Sequence, residues 1–150
     1  MGYTHYYHIR DPHHPEWHSA WPRIVHDARR ILDMVAVPLS GPTEYSDIVT
    51  PVQLSEDGIY LNGVDKASHE PMRLTRTAPV GFGFVKTALK PYDLVVAAIL
   101  LRAAMLAPTQ FELGSDGLWG NEWMNECGTL RGEPNTEEAF KKGLFRGPVL

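Results

Sequence analysis

The segment FGFVKTALKPYDLVVAAILLRAAML, Phe82 to Leu106, changes its pattern part-way along. Gly81 to Val85 has the residues of a short strand. Lys86 to Lys90 reads as a loop, and Pro91 then suits the first turn of a helix, where its missing N–H is not needed. From Leu94 to Leu106 only Arg102 is charged, so the helix at about 91–106 is expected to be central and buried rather than amphipathic. Pro108 stops it.

The flanking sequence supplies what covers that helix. Tyr3 to Ile9 alternates, with Tyr3, His5, Tyr7 and Ile9 on one face and Thr4, Tyr6 and His8 on the other, and reads as a first strand. Asp11-Pro12-His13-His14-Pro15 breaks it, and Pro15-Glu16 opens a helix with Trp17, Trp21, Ile24, Ala28, Ile31 and Val35 on one stripe. Pro22 is expected to kink or divide that helix. Pro38 to Asp57 reads as a connection with at most one short strand. Ile59-Tyr60-Leu61 reads as a strand ending at an Asn62-Gly63 turn, and Met72 to Thr75 as another. Phe111-Glu112-Leu113 reads as an edge strand before the turn cluster Gly114-Ser115-Asp116-Gly117. Trp119, Trp123, Cys127 and Leu130 fall at helical spacing, and Thr136-Glu137-Glu138 opens a further helix. The sum is α+β: one globular domain over residues 1–150, with two or three helices packed on a mainly antiparallel sheet.

With 43% hydrophobic and 21% charged residues, the 150-residue chain has the composition of a soluble globular protein. Its net charge of -4 argues against broad binding to duplex nucleic acid. The single cysteine, Cys127, requires no oxidising compartment, the N-terminus lacks signal-peptide organisation, and Leu94 to Leu101 is too short to cross a bilayer. Residence in the cytosol, without membrane contact, is therefore expected. Self-association stays open.

Within this acidic chain, Pro71 to Tyr92 carries Arg73, Arg76, Lys86 and Lys90 and no Asp or Glu. Lys86, Thr87 and Lys90 precede a helix start, whose unpaired N–H groups and positive dipole end favour anions, so they are read as an anion site. Gly81 and Gly83 do not complete a phosphate loop, because no Gly immediately precedes Lys86, and the third glycine of a dinucleotide fingerprint is replaced by Lys86. Asn62-Gly63 reads as a turn or as a close approach of ligand to backbone, with the Asn amide reading a base or sugar edge. His69 and Glu70 end the same loop. His14 and His18 could share a helix face, but the His-Glu-x-x-His order is missing, and neither metal nor cofactor is expected. Asp116, Glu122 and Glu126 read as a solvated acidic face, and Cys127 as packing.

The opening Met1-Gly2-Tyr3-Thr4-His5-Tyr6, the Asn62-Gly63 and His69-Glu70 pairs, and Phe84-x-Lys86-Thr87-x-x-Lys90-Pro91-Tyr92-Asp93 resemble a group of small, largely uncharacterised proteins of tailed bacteriophages and bacterial genomes. The likeness covers roughly residues 1–106. This chain departs from the group's pattern at Leu61, where Phe is usual, and at Val85, where Cys is usual; both changes keep an apolar side chain. The resemblance implies a phage-type protein acting in the cytosol of a bacterial host, and supplies no reaction.

Together these readings lead to a binder of an anionic small molecule, such as a nucleotide immune signal sequestered to counter host defence. Lys86, Thr87 and Lys90 would hold phosphate, Tyr7 or Tyr92 would stack on a base, and Asn62, Gly63, His69 and Arg73 would read the remainder, with His5, on the inner face beside Tyr3 and Tyr7, either lining the pocket or sitting as a satisfied core histidine. An enzymatic alternative assigns His5 or His69 as acid or base, with Glu70 or Asp93 as partner, acting on a nucleotide. A third reading is direct inhibition of a host protein through exposed Trp and the acidic region near Glu122.

Overall fold

The structure, a computed structural model, describes residues 3–43, 48–78 and 82–116. Within them the element order is β1 (Thr4–Ile9), α1 (Pro15–Met34), β2 (Gln53–Leu54), β3 (Gly58–Leu61), β4 (Met72–Thr75), β5 (Gly83–Lys86), α2 (Asp93–Leu106) and β6 (Phe111–Ser115), with a 3-10 turn at Asp65–Ala67 between β3 and β4. The helical patterns read at Trp119 to Leu130 and from Thr136, with Cys127, Glu122 and Glu126, lie outside the described residues.

The fold is α+β, with two small antiparallel sheets ordered β5-β1-β6 and β2-β3-β4. β1 is therefore a central strand. Its alternation decides its register: His5 pairs with Val85 on one side and Ser115 on the other, Tyr7 with Gly83 and Leu113, and Ile9 with Phe111. His5, Tyr7, Ile9, Val85 and Phe111 are buried, while Tyr6, His8 and Phe84 on the opposite face are not. In the second sheet Ile59 pairs with Leu74 and Leu61 with Met72, all buried, whereas the Tyr60–Arg73 pair faces the other way.

α1 packs along α2 and reaches both sheets through its tryptophans. Trp17 stacks on Phe111 with ring centroids 5.7 Å apart, and Phe111 stacks in turn on Tyr7. The indole N–H groups of Trp17 and Trp21 donate to the carbonyls of Arg76 (2.7 Å) and Glu56 (2.6 Å), so each buried ring has a polar anchor on the second sheet's margin. The helix runs uninterrupted through Pro22. Pro22 and His18, whose carbonyl loses its partner four residues on, are both on the exposed side, where water can replace the missing bond.

α2 is buried along most of its length, as its uniformly apolar sequence requires. Its one basic residue, Arg102, meets Asp27 of α1 in a buried ion pair, Arg102 Nε donating to Asp27 Oδ2 at 2.5 Å. His26 and Arg30 flank Asp27 from the surface side at 3.3 and 3.8 Å. β6 runs two residues further than the Gly114-Ser115 turn signal implied, because Gly114 and Ser115 find cross-strand partners in Tyr6 and His5. No helix among the described residues is long and apolar enough to cross a membrane.

Removing one partner of a buried pair strands the other charge. Asp27→Ala is expected to lower unfolding free energy in urea by about 3–5 kcal/mol. The double change Asp27→Leu, Arg102→Met should restore stability to the native level or above it, since neither buried charge then remains.

Candidate functional site

β5 enters α2 through an unusual turn. Ala88 and Leu89 both have positive φ, 52° and 55°, and Lys90 N–H donates to Thr87 O at 3.0 Å to close the turn. Glycine or asparagine ordinarily occupies such positions, and each other residue placed there costs about 1–2 kcal/mol. Surrounding bonds hold it in place. The N–H groups of Thr87 and Ala88 both donate to Tyr3 O (3.1 and 3.2 Å), Asp93 N–H donates to Lys90 O (2.8 Å), and the buried Tyr92 donates its hydroxyl to Glu70 O (2.6 Å).

The turn delivers Asp93, the first residue of α2, into the sheet's inner face. Its Oδ1 accepts the Thr87 hydroxyl proton and is 2.7 Å from His5 Nε2, while His5 Nδ1 is 2.8 Å from Ser115 Oγ. A carboxylate only accepts, so His5 Nε2 carries a proton toward Asp93; in the neutral tautomer that this bond selects, Nδ1 accepts from the Ser115 hydroxyl. His5, Thr87 and Asp93 are at most 1% exposed. The expectation that Thr87 and the start of α2 form an open anion cradle is therefore corrected: the chain's own Asp93 fills that position.

Asn62 is also buried and fully engaged. Its Nδ2 donates to the carbonyls of Thr43 (2.8 Å) and His69 (2.9 Å), and its Oδ1 accepts from the N–H groups of Gly63 (2.8 Å) and His69 (3.2 Å). Both donors and both acceptor positions are thus used within the chain, so the amide does not read a ligand edge. Asn62-Gly63 is not a tight hairpin turn either: Asn62 bridges to Ser40, and a longer loop joins β3 to β4. Gly63 is required by space, since a Cβ there would lie 2.1 Å from Ala67 O and 3.0 Å from the Tyr92 ring.

His69 and Glu70 clamp the backbone of Lys86. Lys86 N–H donates to Glu70 Oε2 (2.8 Å), and Lys86 O accepts from Glu70 N–H (3.2 Å) and from His69 Nδ1 (2.9 Å). The carbonyl can only accept, so His69 Nδ1 carries a proton, and Nε2 is the ring nitrogen left for other partners. This is where the neighbouring margins of β4 and β5 touch. Beyond it the two strands belong to separate sheets, and a cleft of about 510 Å³ opens, lined by Tyr7, Tyr60, His69, Glu70, Pro71, Arg73, Thr75, Ala78, Gly83 and Phe84.

At the cleft floor Tyr7 donates its hydroxyl to Arg73 O at 3.4 Å, and burial pushes its phenol up to about 12. Tyr60 folds back over Gly58, where any Cβ would come within 2.8 Å of the phenol oxygen. Arg73 Nη2 donates to Pro42 O at 3.3 Å, steadying an exposed guanidinium at the rim. Phe84 is 57% exposed and adjoins Phe82, which packs on Tyr6 with centroids 5.6 Å apart.

Of the residues read as ligand-binding, Tyr7, His69 and Arg73 line the cleft. Asn62, Gly63, Tyr92, Thr87 and His5 stand behind it as buried support, and Lys86 and Lys90 do not line it. Tyr60, Glu70, Thr75 and Phe84 were not among the ligand-binding readings; the alternation Tyr60/Leu61 and Phe84/Val85 was the available signal. His14 caps α1, its Nδ1 accepting Glu16 N–H at 3.1 Å, and no group of three metal-ligating side chains occurs among the described residues. No protein-family model, curated protein or solved structure matches the chain.

Gly63→Ala is expected to destabilise the fold by about 1–3 kcal/mol in urea titration. Gly114→Ala, whose Cβ would meet nothing closer than 3.9 Å, should change stability far less. A second test is alkaline. The folded chain keeps Tyr7 protonated to about 12 against an ordinary 10.0, so it binds the extra proton between those values. The associated stability is intact below pH about 10 and is lost as pH rises through about 12. Tyr7→Phe should therefore lose less stability than the native chain between pH about 9 and about 11, measured by urea unfolding.

Proposed function

We propose that the cleft binds a small anionic molecule bearing a flat ring, with nucleotides as the leading class. The observation that carries this is the juxtaposition, in one cleft of about 510 Å³, of Arg73 and His69 with the aromatic side chains Tyr60 and Phe84. That volume lies in the range of small-molecule sites, which are typically apolar-walled with a few placed polar groups. Arg73 supplies a forked donor for phosphate, His69 Nε2 a second polar contact, and Tyr60 or Phe84 a face for a base. Glu70 adds a carboxylate wall suited to the hydroxyl or amino donors of a nucleoside, so the site favours a ligand with both an anionic and a donor-rich end.

The reading is one of capture. Taken with the resemblance to phage proteins, it extends to sequestration of a nucleotide signal in the bacterial cytosol. The polar network behind the cleft is the support such a site needs, because it fixes the backbone of His69, Glu70 and Lys86 before any ligand arrives.

The purified chain should be stabilised thermally by at least one member of a panel of purine and pyrimidine mono-, di- and triphosphates and cyclic nucleotides. A ligand at a hundredfold excess over Kd adds about 2.7 kcal/mol. Arg73→Glu should abolish the rise while leaving the unliganded melting temperature near the native value. Lys86→Glu with Lys90→Glu should retain most of it. A rise that survives Arg73→Glu and is lost in the lysine pair would move the site from the cleft to the β5–α2 turn, and no rise with any member would end the nucleotide assignment.

A further inference from the structure

None of His5, Thr87, Asp93 and Ser115 lines the cleft, and the binding proposed there makes no use of their chemistry. We propose that Ser115 is an activated nucleophile for acyl transfer from carboxylic esters, with His5 as its base and Asp93 as the carboxylate that orients the base. The connectivity is serial: Ser115 Oγ to His5 Nδ1 at 2.8 Å, then His5 Nε2 to Asp93 Oδ1 at 2.7 Å. Thr87 donates to the same carboxylate oxygen and, with Asp93, is a positioning residue. In the neutral ring the protons are ordered in the direction a nucleophile needs, since Asp93 selects the tautomer with hydrogen on Nε2 and an accepting Nδ1 facing the hydroxyl.

Burial is graded along the set. His5 and Thr87 are 0% exposed and Asp93 1%, whereas Ser115, at the end of an edge strand, is only half-buried. The relay thus runs from a buried carboxylate outward to the less buried of the set's two hydroxyls. Within the sheet, His5 and Ser115 are register partners on adjacent strands, so the pair is held by backbone pairing and not by loops.

In the proposed step Ser115 Oγ bonds to the ester carbonyl carbon as its proton passes to His5 Nδ1. The bond from that carbon to the alcohol oxygen breaks, and His5 returns the proton to the departing alkoxide. Water then repeats the sequence on acyl-Ser115, releasing the carboxylic acid and restoring the hydroxyl.

The test uses the full native chain and a fluorophosphonate probe, whose P–F bond is exchanged for a P–O bond to serine with loss of fluoride. One adduct is expected, mapped by peptide mass analysis to Ser115, with Ser19, Ser55 and Ser68 of the same molecule as unreactive references. Ser115→Ala should remove it. Unfolding the native chain in urea should abolish selective labelling, and Asp93→Asn, if folded by circular dichroism, should slow it on the order of tenfold or more. Absence of the Ser115 adduct on folded native chain, or labelling that proceeds equally after unfolding, would overturn the proposal without reliance on any variant. Hydrolysis of p-nitrophenyl acetate that is lost in Ser115→Ala would extend labelling to turnover; turnover unchanged by that substitution would overturn the assignment.

Discussion

The bond between His5 and Asp93 organises this molecule. One partner sits on the central strand of the first sheet, the other on the first residue of the buried helix, and both are almost wholly removed from solvent. Burying such groups is tolerable only where each finds hydrogen-bonding partners, and here Thr87 and Ser115 supply them. The requirement propagates. To bring Asp93 to His5 the chain must reverse sharply after β5, and it does so through two left-handed residues that only surrounding bonds can hold.

Those bonds divide the molecule's polar groups into two kinds. Tyr3 O, Thr87, Lys90 O and Tyr92 hold the turn, while Asn62, His69 and Glu70 hold the strand that leads into it. Most polar side chains near the β5–α2 junction are therefore spent on backbone, in keeping with the rule that buried polar groups must be satisfied. What faces outward is a smaller set at the split between the sheets, where Arg73, His69 and Tyr60 meet Phe84.

Much of the architecture was legible in the sequence. The uninterrupted apolar run of α2, the alternation of β1 and the stripe of α1 are each a direct imprint of burial, and β4 stands where its pattern placed it. Two kinds of information were not legible. The Gly114-Ser115-Asp116-Gly117 cluster has turn chemistry, yet pairing with β1 keeps Gly114 and Ser115 extended, because long-range register overrides local preference. The partners of Asn62, Thr87 and Tyr92 are mainly backbone carbonyls and a carboxylate brought in from elsewhere, so their residue types marked polarity but not its direction. The lysines were marked by their charge and their place before a helix start, neither of which fixes where the side chains point, whereas Tyr60 and Phe84 entered the cleft through strand alternation opposite core residues.

The position of β1 bears on how the chain reaches its native state. Among the described strands it is translated before its neighbours β5 and β6, and the contact between His5 and Ser115 spans 110 positions. Until then a tyrosine- and histidine-rich strand has two unsatisfied margins and no sheet to join. Closure over such separations is slow relative to helix formation. The nascent chain therefore completes this sheet only after β6 has emerged, and until then β1 is open to chaperones and to mispairing.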